Sequence, residues 1–184
     1  DKEQTKFKRK LNDAIRYLAS SRPTAVNLFW ALERMQRKLD KISRFSITDT
    51  RKILLEEAMG ILNEDKKVCR AMADYGSRLI DNNDKCITIC NAGALATADY
   101  GTALGVFYRA KERGKKFKVY SCETRPLLQG ARLSSWELKR NHIDVTLIAD
   151  NTIAALMQRE KIDKAFVGAD RIASNGDTAN KIGT

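Results

Sequence analysis

The chain has 184 residues, 43% of them hydrophobic, with 2 Pro, 10 Gly and no low-complexity run, so it can bury one substantial core or two small ones and is not a disordered segment. Its formal net charge is +11, unevenly spread: 17 Lys and Arg against 10 Asp and Glu in residues 1–70, and 17 against 13 in the rest. No apolar run reaches bilayer length, and the opening DKEQTKFKRK lacks the apolar core of a signal peptide; the expectation is a soluble, cytoplasmic protein without a membrane partner.

Residues 3–20 read as helix, with Phe7, Leu11, Ala14, Ile15 and Leu18 on one face. The basic cluster Lys6, Lys8, Arg9 and Lys10 lacks interleaved aromatics and matches no nucleic-acid motif. We read it as a solvated helix face, with no nucleic-acid partner. SSRPT interrupts. Pro23 disfavours helix at Arg22 and suits the first turn of the next helix, through VNLFWALERMQRKLDKI, which leaves Arg22 ahead of a helix start where it can help hold an anion. From about Thr48 to Ile80 the apolar spacing predicts a second helical hairpin.

From residue 84 the rhythm changes. CITIC, FKVYSC, DVTLIAD and KAFVGAD are short β-branched runs, separated by helical stretches in TALGVFYRAKERG, LLQGARLSSWELKRN and NTIAALMQREK. That alternation predicts βαβ units on a parallel sheet. The expected organisation is a helical N-terminal domain over 1–83 and a Rossmann-like α/β domain over 84–184. Four parallel strands without a closing strand would leave an open edge, so we expect both domains to be incomplete and the chain truncated at both ends.

The stretch DKCITICNAGALAT places Cys90 where an extended run ends and a small-residue turn begins, at the carboxyl end of the first strand. Ligands of open α/β sheets bind at that edge, where helix N-termini and cations lower a thiol pKa. The competing reading is a buried structural cysteine. The other strand ends carry Cys122 with Glu123 and Arg125, Asp150 with Asn151, and Gly168 with Asp170 and Arg171, so acid, base and cation candidates converge on one cleft suited to a small molecule. Asp150, opening D-N-T before an apolar helix, reads first as an N-cap. The four cysteines, at 69, 86, 90 and 122, form no CxxC, and Cys86 and Cys90 would stand roughly 13 Å apart along a strand, too far for a disulfide. With one histidine, His142, no zinc-type ligand set can be assembled, so we expect a reduced, metal-free site.

The segments SRPTAVNLFWALERM, CNAGALATADYGTALGV, ETRPLLQGARLSSWEL, LIADN, VGADRIASNGD and ANKIGT, in this order from about residue 14 onward, closely resemble the 5-methylthioribose-1-phosphate isomerase family of methionine salvage. The wider family includes ribose-1,5-bisphosphate isomerases and non-catalytic regulatory subunits of the translation initiation nucleotide exchange factor. The resemblance implies a helical domain followed by a Rossmann-like domain, no metal or nucleotide cofactor, a phosphosugar substrate and a homodimer. It implies that Cys90 and Asp170 are catalytic, and that Arg22, Gln129, Asn180 and Lys181 bind the phosphate and sugar hydroxyls. Filled cysteine and aspartate positions favour the isomerase over the regulatory subunits. The chain departs from the family pattern at Ile89, where a histidine is common, at Ser134, where QGARLT is usual, and in lacking an upstream R-G-A-P-A loop. The implied reaction is an aldose to ketose isomerisation, with Asp170 kept protonated by burial as the acid and Cys90 handling hydrogen at the second carbon; exchanged roles or a hydride shift are equally compatible with the residues.

Overall fold

The computed structural model describes residues 2–22, 26–42 and 45–184. The chain is α/β, a helical N-terminal region followed by a parallel four-stranded sheet. Among the described residues no helix is long and apolar enough to cross a membrane.

The helical region begins with α1 (Lys2–Ser21) and α2 (Val26–Lys41). Pro23, read as the start of the second helix, lies outside the described residues. The predicted hairpin after Thr48 is instead one continuous helix, α3 (Ile47–Gly76), of 30 residues. Its start is fixed by a reciprocal cap, in which Ser46 Oγ accepts the Asp49 N–H at 3.1 Å and donates to the Asp49 carboxylate at 2.7 Å. Nothing then breaks it: the stretch has no proline, and a lone internal glycine such as Gly60 costs only about 1 kcal/mol.

The packing divides earlier than the change of rhythm at residue 84 suggests. Residues 1–64 form one compact unit and residues 65–184 another, the division falling within α3. In the first unit Leu39, Ile42 and Leu54 are buried together, with Leu11, Met35 and Ile53 against them. Arg34 joins α2 to α3 there, donating to Glu57 at 2.6 Å and to Glu64 at 2.5 and 2.9 Å. The last turns of α3, with the buried Cys69 and Ala73, belong to the second unit.

The second unit is built on β1 (Lys85–Thr88), β2 (Lys118–Cys122), β3 (Asp144–Ile148) and β4 (Lys164–Ala165). All pair in parallel, in the order β3-β2-β1-β4. Both sheet faces are covered, which is why the strands read as near-continuous apolar runs. On one face Cys86 and Val119 pack with Leu104, Val106 and Phe107 of α4 (Ala103–Glu112), with Ile80, and with Leu138 of α5 (Ser135–Arg140). On the other, Ile87, Ile89, Tyr120 and Cys122 pack with Ile153 and Leu156 of α6 (Ile153–Arg159). A hairpin of β5 (Arg171–Ile172) and β6 (Thr178–Ala179) follows, closed by the NGD turn.

The stretch expected as one helix over 127–141 is composite. Residues 125–128 form a turn, Gly130–Ser134 a π-helical turn, and only then does α5 begin. Gly130 explains the form: a Cβ there would lie 1.7 Å from the Cys122 carbonyl oxygen, so the segment passes tightly over the end of β2 before it can widen into a regular helix.

Candidate active site at the carboxyl edge of the sheet

Cys90 stands two residues beyond β1, with its backbone in the left-handed region at φ 70°. Thr124, two residues beyond β2 on the adjacent strand, is left-handed as well, at φ 65°. Such a conformation is uncommon outside glycine and is strained for a β-branched residue. The two are directly bonded: the Cys90 N–H donates to Thr124 Oγ1 at 2.8 Å, and Thr124 Oγ1 donates to the Cys122 carbonyl at 3.2 Å. The carbonyl of Cys90 accepts Ser134 Oγ–H at 2.5 Å, so the wide π turn delivers a buried hydroxyl to the cysteine's other peptide plane.

Glu137, only 3% exposed, anchors the following turn. Its carboxylate accepts Asn91 Nδ2 at 2.8 Å, the Ala94 N–H at 2.7 Å and the Tyr108 hydroxyl at 2.9 Å. Burial against that carboxylate pushes the Tyr108 phenol well above its ordinary value, so it remains a donor. Gly93 has no room for a side chain, since a Cβ would meet the Glu137 carboxylate at 2.4 Å. Sequence patterning gave no signal for Glu137, because an acidic residue in a helix with basic neighbours reads as surface.

Asp150 does not cap α6; no side-chain cap bond is made there, and Thr152 is the N-cap residue. Its carboxylate instead accepts the N–H groups of Thr124 at 2.8 Å and Arg125 at 2.7 Å, clasping the loop after β2. The expected N-cap bond is not made; Asp150 ties two loops together instead, through a tertiary bond that local sequence cannot announce.

All four cysteines are free, and Cys90 is the one that is not buried. Burial pushes the thiols of Cys86 up to about 12 and Cys122 up to about 11, and also raises Cys69. The spacing argument for Cys86 and Cys90 assumed an unbroken strand; the strand ends at Thr88 and the chain turns at Cys90.

The remaining expected site residues are less enclosed. Asp170 follows β4 and is exposed, its N–H bonded to the Ala179 carbonyl at 2.9 Å. The burial expected to keep it protonated is not what the structure has, because the hairpin on which it sits packs against little else. Asn180 and Lys181, just past β6, are half-buried, and Asn180 Nδ2 donates to Thr184 at 3.2 Å. Gln129 is half-buried beside the π turn, with its Oε1 buried and no hydrogen-bond partner among the described residues. Such an acceptor suits a ligand hydroxyl. Arg22 is exposed immediately after α1, in the other unit.

At the opposite edge of the sheet a cavity of about 510 Å³ is lined by Lys85, Lys111, Lys115, Lys116, Lys118 and His142, among others. Much of this charge has structural work. Lys115 donates to the carbonyls of Ser77 and Ile80, and Lys85 pairs with Glu160.

Residues 1–184 match the family model described as the initiation factor 2 subunit family. The chain is 54% identical over 178 residues to a methylthioribose-1-phosphate isomerase of Bacillus cereus and 53% identical to one of Bacillus thuringiensis, in each case covering 97% of this chain and 50% of the relative. It thus spans about half the length of the curated relatives it matches. Among solved structures, a 5-methylthioribose 1-phosphate isomerase of Pyrococcus horikoshii superposes with a TM-score of 0.87 at 41% identity, over 98% of this chain and 50% of that one. A translation initiation factor eIF-2B subunit delta of A. fulgidus gives 0.79 at 47% identity, over 91% and 49%. With the family model matched from end to end, a fold shared with these relatives and sequence identity well above what fold alone requires, the chain belongs to the initiation factor 2 subunit family.

Proposed function

We propose that the chain is part of a sugar-phosphate isomerase that converts 5-methylthioribose 1-phosphate to 5-methylthioribulose 1-phosphate, with Cys90 and Asp170 as its catalytic pair. The observation that carries this reading is the setting of Cys90: the one cysteine of four that is not buried, held in a left-handed backbone at the ligand-binding edge of a parallel sheet. The isomerases of the two Bacillus species lend it the reaction and the substrate.

The substrate's difficulty is that its phosphate blocks the anomeric oxygen, so the ring cannot open to a free aldehyde unaided. In this reading the bound substrate covers Asp170, which enters the cycle protonated and gives its proton to the ring oxygen as the ring opens. Cys90 then takes the hydrogen from the second carbon and returns it to the first, while the hydroxyl proton of the second carbon leaves to Asp170, so protons balance over the cycle. Gln129 accepts a sugar hydroxyl. Lys181 and Asn180 hold the phosphate, the lysine as a charge-assisted donor. The α/β domain of this reading spans 84–184 and the helical domain 1–83, in a cytoplasmic homodimer that needs no cofactor.

A second reading has its own support in the eIF-2B delta structure, which is more identical to this chain than the solved isomerase is. Here the same edge would bind a phosphosugar as a signal without turning it over.

One experiment separates them: a coupled turnover assay with 5-methylthioribose 1-phosphate and ribose 1,5-bisphosphate, run on the chain and on Cys90→Ser and Asp170→Asn. Turnover of the first substrate, reduced about 10²–10⁴-fold in either variant with binding retained, supports the isomerase. Full turnover in the variants removes these roles. Saturable phosphosugar binding without turnover supports the regulatory reading.

A further inference from the structure

We propose that Asp150 and Thr124 are positioning residues for Cys90, forming a brace across the carboxyl ends of three adjacent strands; the inference rests on the reading that Cys90 is the reactive thiol. The strands run in the order β3-β2-β1, and the brace crosses them in the same order. From the end of β3, the Asp150 carboxylate takes the N–H groups of Thr124 and Arg125 at 2.8 and 2.7 Å. From the end of β2, the Thr124 hydroxyl takes the Cys90 N–H at 2.8 Å and spends its own proton on Cys122. At the end of β1, Cys90 is held on its other side by Ser134.

Two features set this apart from ordinary loop bonding. First, the brace holds two non-glycine residues in the left-handed region face to face, φ 70° at Cys90 and φ 65° at Thr124. An unsupported chain would relax both, so the surroundings must over-determine them. Second, the two hydroxyls that fix the peptides flanking Cys90, those of Thr124 and Ser134, come from fully buried side chains of different segments. The conformation of the cysteine is therefore set by tertiary bonds rather than by its own sequence. Each link is specific in direction. The two oxygens of the Asp150 side chain accept, which suits two N–H donors. The threonine hydroxyl accepts once and donates once, which a valine of the same shape cannot do.

The brace makes a prediction that side-chain packing does not. Thr124→Val keeps the volume and removes the hydroxyl; Thr124→Ser keeps the hydroxyl and removes a methyl. The rate of Cys90 alkylation by iodoacetamide at fixed pH, followed by peptide mass, reports the setting of the thiol without any substrate. Kinetic constants for 5-methylthioribose 1-phosphate report the consequence.

The expected result is an alkylation rate changed at least fivefold in Thr124→Val, with kcat lowered about 10–100-fold at nearly unchanged KM, as for a reacting group displaced by about 1 Å. Thr124→Ser should restore both. Asp150→Asn keeps one acceptor oxygen of two and should shift both in the same direction, less far; it also serves if Thr124→Val does not fold. Wild-type alkylation in Thr124→Val and Asp150→Asn would overturn the brace, and so would a Thr124→Ser variant that behaves like valine, since packing would then be the cause. If Cys90→Ser keeps full turnover while the alkylation rates shift as expected, the catalytic reading fails and the brace stands.

Discussion

The two flanks of the candidate site are built differently. On the Cys90 flank, at the ends of β1, β2 and β3, two residues are left-handed, and the buried side chains of Thr124, Ser134 and Glu137, with Asp150, tie the turns to one another. On the Asp170 flank a two-stranded hairpin of two-residue strands stands exposed, with bonds mostly to its own neighbours. A packed interior can hold a strained conformation because relaxing it would break several buried bonds together, whereas an isolated hairpin is marginal in water. The difference teaches that placement is fixed by the sheet for one member of the proposed pair and by a local turn for the other.

Substitutions on the two flanks should separate accordingly. The largest loss is expected from Gly130→Ala, whose Cβ would sit 1.7 Å from the Cys122 carbonyl. Backbone cannot yield as a flexible side chain does, and urea denaturation should show a loss of about 3 kcal/mol or no cooperative transition; wild-type stability would mean that the π turn adapts freely. Glu137→Ala should cost less, about 2 kcal/mol in the same measurement, because Asn91, Ala94 and Tyr108 each lose a buried acceptor.

A third effect comes from the buried thiols. The unfolded chain releases cysteine protons near pH 8.5, whereas Cys122 and Cys86 hold theirs to about 11 and about 12. The folded state thus binds more protons in that window. The stability contributed by these two sites is fully present below about pH 8.5 and is lost as pH rises towards 12, which thermal melts at pH 8, 9.5 and 10.5 would show as a falling midpoint. In the same range iodoacetamide should label Cys90 ahead of the other three. Rapid labelling of Cys86 would contradict its burial. The smallest effect belongs to the exposed flank: Asn175→Ala removes the turn bonds to Asp177 yet should change global stability by less than about 0.5 kcal/mol. A larger loss would show that the hairpin is part of the cooperative unit and would erase the contrast.

Sequence alone determined the order of elements. The spacing of apolar residues marks α1, α2 and α4, the β-branched runs mark the four parallel strands, and CNAG marks the turn after β1, because each of these is decided by neighbours within a few residues. It also placed Cys90, Arg125, Asp150 and Asp170 near one edge, since a parallel sheet puts all its carboxyl ends on the same side; Thr124 went unmarked. Only the tertiary structure decided which of them would be locked. The continuity of α3, the π turn at Gly130, the buried acceptor at Glu137 and the clasp of Asp150 on Thr124 all depend on atoms that meet across 26 to 46 positions or on the absence of room for a Cβ. Burial and long-range bonds turn an aspartate that reads as a helix cap into a brace, and a cysteine at a strand end into the one thiol of four left within reach of solvent.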